Sequence, residues 1–123
     1  IEAVDPHAKD GDFEPVLHVQ GLSPYGMLIA GVGSCTAMVV MTYAKNHDLS
    51  LDQVELKMVY DRDFDQDCEQ CEDIDEYEDF ILETIDLKGD LSDETEPKLR
   101  QIAHQCPLEI MLENGVKIIH TND

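Results

Sequence analysis

Cysteines carry most of the potential chemistry in this 123-residue sequence, and there are four of them. Cys35 sits in Gly31-Val32-Gly33-Ser34-Cys35-Thr36-Ala37-Met38-Val39. On a helix its i±3 and i±4 neighbours are Gly31, Val32, Met38 and Val39. Such an apolar shell raises a thiol pKa and leaves the sulfur inert unless a cation is brought in. Cys106 follows Leu99, Ile102 and Ala103 at i, i+3, i+4, i+7 spacing. That spacing is one buried helical stripe, so Cys106 points into the core just before Pro107. Two helices sharing one small core bring their buried faces together. Two readings then stand open for this pair: inert core thiols, or reactive sulfurs sheltered from water in an apolar pocket.

The other two cysteines form a CxxC in Asp67-Cys68-Glu69-Gln70-Cys71-Glu72. Surrounding carboxylates disfavour a thiolate, so neither is a good nucleophile. A zinc knuckle needs a second pair, and the sequence holds no other CxxC. A turn with idle thiols, a labile disulfide, and a metal site at Cys68 and Cys71 (zinc, completed by acids, a histidine or a second subunit) remain as alternatives. The five histidines are scattered. No Ser/His/Asp order, phosphate loop or HExxH is present.

The elements that must position these groups read as follows. Residues 1–22 are polar and turn-rich, with a short strand expected near Val16–Val19. Residues 21–44 carry no charge. Ser23-Pro24 reads as an N-cap and first helical position, opening a helix to about Asn46 that is roughly 35 Å long. A membrane span has that length. The many Gly, Ser and Thr residues dilute its hydropathy, and the central helix of a soluble core is the expectation. Leu51–Tyr60 alternates as a half-buried strand, with Val54, Leu56, Met58 and Tyr60 on one face. Phe80–Lys88 is its expected hairpin partner. A second helix begins near Ser92 or Asp93 with Pro97 in its first turn, and Leu108–Leu112 forms a short helical piece. Asn114-Gly115 turns the chain into a last expected strand, Val116–His120. The order gives an α+β fold with an antiparallel sheet.

Composition limits the function. Eight basic residues stand against 28 acidic ones, a net charge of −20. That excludes a phosphate-neutralising nucleic-acid binder and argues against docking on anionic membranes. Eleven of the acids lie between Asp61 and Asp79, with Arg62 the one basic residue there, so the middle of this run reads as an exposed loop or hairpin tip. No secretory signal is visible, and a cytoplasmic location is expected.

Two stretches resemble a known family. Ser23-Pro24-Tyr25-Gly26-Met27-Leu28-Ile29-Ala30-Gly31-Val32-Gly33-Ser34-Cys35-Thr36-Ala37-Met38 is similar to the central helix of the OsmC/Ohr family of osmotically induced and organic-hydroperoxide-resistance proteins. Ile102-Ala103-His104-Gln105-Cys106-Pro107-Leu108 resembles its second cysteine motif, and the acidic CxxC followed by a strand and Leu87-Lys88-Gly89-Asp90-Leu91 resembles one OsmC-like branch. The resemblance implies a single OsmC-like domain over residues 1–123 with an incomplete N-terminal strand region, two buried central helices, and an intertwined homodimer. It implies a thiol peroxidase acting on organic hydroperoxides without a cofactor. Cys35 matches the peroxidatic cysteine, which becomes a sulfenic acid, and Cys106 the resolving cysteine, whose disulfide an external dithiol reduces. The alternative is a catalytically weak OsmC-like protein that binds a small molecule or metal and responds to redox state. In the family an arginine lowers the pKa of the attacking thiol and is held by a glutamate early in the central helix, where this chain has Tyr25-Gly26, with Gly26 in the glutamate's place. The arginine matches neither Arg62 nor Arg100, and is expected upstream of Ile1.

Overall fold

Ser23 starts the longest helix as the sequence predicts. Its hydroxyl accepts the Gly26 N–H at 3.0 Å and its carbonyl the Met27 N–H at 2.9 Å, so two donors of the first turn are satisfied. The chain is seen in a computed structural model that describes residues 2–4, 13–15, 21–64 and 77–122. In chain order its elements are β1 (Glu2–Val4), β2 (Phe13–Pro15), α1 (Pro24–Asn46), β3 (Ser50–Phe64), β4 (Tyr77–Asp90), α2 (Thr95–Ala103) and α3 (Pro107–Asn114). The fold is α+β. Strands β1 and β2 pair antiparallel, with Ala3 opposite Glu14. Strands β3 and β4 form a second two-stranded antiparallel sheet. The chain groups into two compact units, Ile1–Gly31 with Lys57–Thr84 and Val32–Leu56 with Ile85–Asp123.

In the first unit, β1 and β2 pair and the first turns of α1 begin. The Tyr25 and Tyr60 rings stack with centroids 4.7 Å apart, and the Tyr60 hydroxyl donates to the Asp79 carboxylate at 2.5 Å. The expected strand near Val16–Val19 and the middle of the acidic run, with Cys68 and Cys71, lie outside the described residues.

The second unit holds the core. Val40, Ala44, Leu99 and Ala103 are buried together, with Tyr43, Leu49, Leu51, Val54, Ile85, Leu87 and Leu91 packed around them. Helix α1 buries Val32, Thr36, Val40 and Ala44, a ridge at i+4 spacing, together with Gly33. The helix is long and apolar enough to cross a membrane, yet this stripe is what it buries. The helix is apolar on all sides but buries one face, and Met27, Leu28, Met38 and Met41 stay exposed.

Helix α1 ends at a left-handed Asp48, φ 51°, with Leu49 N–H bonded to Ala44 O at 2.9 Å and Asp48 N–H to Lys45 O at 3.3 Å. These are the paired bonds of a Schellman cap. Gly89 closes the base of the β3–β4 pair with φ 154°. A Cβ there would lie 2.1 Å from the Ser50 carbonyl oxygen, so only glycine fits.

Helix α2 starts at Thr95, slightly later than predicted, because Ser92 closes the entry turn. Its carbonyl accepts both Thr95 and Glu96 N–H, and its hydroxyl lies 3.2 Å from Thr95 N. The Arg100 guanidinium donates to Ile85 O at 2.7 Å and to Glu96 at 3.0 Å, fastening α2 to β4. The last predicted strand is not formed. After the turn at Gly115, φ 85°, Val116–His120 runs without regular structure, with Ile118 79% and Ile119 70% exposed. Its apolar pattern suits a strand, but pairing also needs a neighbouring strand edge, and among the described residues none is paired with it.

Candidate functional site

The predicted stripe Leu99, Ile102, Ala103 and Cys106 is buried throughout. Cys106, however, is not in the last turn of α2. It stands one position before Pro107 as the N-cap of α3, with extended backbone (φ −59°, ψ 121°) and no exposed surface. The local sequence explains this. Ala103 O accepts the Cys106 N–H at 3.3 Å as α2 closes, and a residue before proline is pushed out of the helical region. Pro107 then opens the new helix at a position where no N–H is needed.

Cys35 comes from the third turn of α1, on the border of the buried ridge, and is half-buried. The structure brings the two thiols close enough to be coupled, with hydrogen bonding toward Cys106 biasing the Cys35 proton. Cys106 in turn directs its own proton at the Val32 carbonyl, 3.9 Å away. Both residues belong to the same unit of the chain.

The pair is electrostatically unequal. The bond to Cys106 is the main cause that raises the Cys35 pKa above its ordinary 9.0. The Leu108 amide works against that rise, while burial and the negative charge of Cys106 and Glu109 add to it. Burial pushes Cys106 up, but the Thr36 hydroxyl, the Glu109 and Leu108 amides and the Cys35 thiol together bring it below 9.0. These amides belong to the first turn of α3, where N–H groups lack helical acceptors and favour a negative charge. Within the pair, negative charge is therefore better accommodated on Cys106 than on Cys35.

Sequence reasoning placed an apolar shell around Cys35 as the reason for a raised pKa. The larger cause is the second sulfur. It also passed over Thr36. This side chain is fully buried on the α1 ridge, and its Oγ1 has no partner at full hydrogen-bond geometry although it lies beside Cys106. A polar residue midway between Val32 and Val40, four positions from each on one helical ridge, is the available signal. Arg100 is held by Ile85 and Glu96, and the Gly26 N–H donates to the Ser23 hydroxyl. Among the described residues no group of three or more His, Cys, Asp or Glu converges on a metal position. His104 is exposed at the end of α2.

A long apolar helix, two short helices and paired antiparallel strands make this an α+β chain. The chain belongs to the OsmC-like protein family, whose profile matches residues 17–121. Its fold is similar to the crystal structure of a protein from Psychrobacter arcticus 273-4 described as osmotic stress induced and of the detoxification response. That match has a TM-score of 0.56 and 15% sequence identity, and covers 85% of this chain and 74% of the other. Comparison with curated proteins finds no match.

Proposed function

We propose that this chain is a thiol peroxidase for organic hydroperoxides. The observation that carries the reading is the coupling, within one unit of the chain, of Cys35, half-open to solvent, and Cys106, fully enclosed. The Cys35 sulfur attacks the outer peroxide oxygen of ROOH. The O–O bond breaks, ROH leaves with a proton, and Cys35 becomes a sulfenic acid. Cys106 then attacks that sulfur, releasing water and forming a Cys35–Cys106 disulfide, and an external dithiol returns both thiols. The substrates in this reading are alkyl and aryl hydroperoxides in preference to hydrogen peroxide. The working form is a homodimer in the cytoplasm, with the exposed apolar face of α1 and the segment 116–120 as the surfaces a second copy covers. A detoxification role of the kind attributed to the Psychrobacter arcticus protein fits this chemistry.

One equivalent of cumene hydroperoxide, followed by peptide mass mapping, tests it. A Cys35–Cys106 disulfide within seconds is expected. Slow oxidation spread over other residues would remove the enzyme reading. The raised Cys35 pKa favours a second reading, a slowly reacting OsmC-like binder whose thiol pair responds to redox state. Disulfide formation over hours instead of seconds would select it.

A further inference from the structure

The reductive half of the cycle has a built-in direction. Cys35 is half-buried and Cys106 has no exposed surface, so one sulfur of their disulfide can be reached from outside. Cys106 caps α3, with the Leu108 and Glu109 amides set to receive charge on its sulfur. Beside it, from α1, lies the fully buried Thr36 hydroxyl, which no group satisfies at hydrogen-bond geometry. A buried hydroxyl without a partner is costly, and an anionic acceptor forming next to it removes that cost.

Resting on the disulfide of the reading above, we propose that the incoming dithiol attacks Cys35 Sγ, that Cys106 departs as the thiolate, and that Thr36 is the positioning residue that donates to it. In the first step a bond forms between the reductant sulfur and Cys35 Sγ, and the Cys35–Cys106 bond breaks with its electron pair going to Cys106. In the second the reductant's other thiolate attacks its own bound sulfur, releasing Cys35 and leaving the reductant as a cyclic disulfide. Exchange is faster when the departing sulfur is the better-stabilised anion, so this geometry prefers Cys106 as leaving group. The titratable group facing Cys106 is Cys35 from α1, and the Glu109 carboxylate of α3 bears on Cys35.

The disulfide is best made with diamide, without any peroxide. A brief exposure to 2-mercaptoethanol, acid quench and peptide mapping then locates the mixed disulfide. The adduct is expected on Cys35; an adduct on Cys106, or equal amounts on both, overturns the proposal while leaving the peroxidase reading intact. Failure of diamide to join the two cysteines overturns both. Thr36→Val is expected to slow reduction by dithiothreitol about threefold, as a leaving thiol of higher pKa should. In the Cys35→Ser background the same change should move the Cys106 titration, read by ultraviolet thiolate absorbance, up by about one pH unit. Thr36→Ser should restore both. An unchanged titration with Thr36→Val removes Thr36 from the proposal, and the adduct map on the natural chain needs no variant to fold.

Discussion

Helices α1 and α3 begin with the same backbone device and opposite chemistry. Each starts with a cap residue followed by proline, Ser23-Pro24 in one and Cys106-Pro107 in the other. At Ser23 the oxygen accepts the Gly26 N–H, and the first turn is satisfied. At Cys106 the side chain makes no capping bond, and the first-turn amides act on sulfur only when it carries charge. One start is a finished structural joint, the other a poised electrostatic site. Exchanging oxygen for sulfur, and exposure for burial, is the whole difference.

The sharpest way to break this contrast is to remove the sulfurs. Cys35→Ser should abolish hydroperoxide turnover, while Cys106→Ser should consume one equivalent of peroxide and stall at the sulfenic acid, which a dimedone adduct on Cys35 reports. Next in size is pH. Cys106 has a folded pKa below 9.0, so between that value and 9.0 the folded chain has released a proton that the unfolded chain retains. Reduced protein should therefore gain stability as pH rises through the folded pKa, hold the full contribution above 9.0, and lose it as pH falls back. Cys35 is raised and acts in the opposite sense above 9.0, so the gain should reverse there. Urea midpoints taken across this range should trace a maximum, and Cys106→Ser should erase the rising limb.

Smaller effects test the structural cap. Ser23→Ala should cost about 1 kcal/mol in chemical unfolding, the usual loss for an N-cap. Ser23→Cys should convert the first helix start toward the second. In a background lacking Cys35, Cys68, Cys71 and Cys106, alkylation against pH should show the new thiol titrating below 9.0 by a few tenths of a unit, since an exposed helix terminus exerts about 0.3–1 kcal/mol on a charge.

Much of this was legible in the chain. Ser23-Pro24 marks the start of α1, and the spacing of Leu99, Ile102, Ala103 and Cys106 marks a stripe that is buried throughout. Both signals are local: a capping oxygen and a helical period act within a turn or two. The site was legible less fully. That Cys35 meets Cys106 could be argued from two buried faces, but which sulfur holds the charge depends on the Leu108 and Glu109 amides and on Thr36, a turn apart or across the core. Val116–His120 shows the limit from the other side. Alternation states that a segment can be a strand, and only a neighbouring edge makes it one.

The bare face of α1 has a practical side. Met38 is 68% exposed and Met27 and Met41 lie open on the same helix, so peroxide will also turn thioethers into sulfoxides. An added oxygen in an intact-mass spectrum is then ambiguous until the peptide is known. The same reaction becomes a footprint: if a second copy shields that face, its methionines will resist oxidation in concentrated solution and yield to it on dilution.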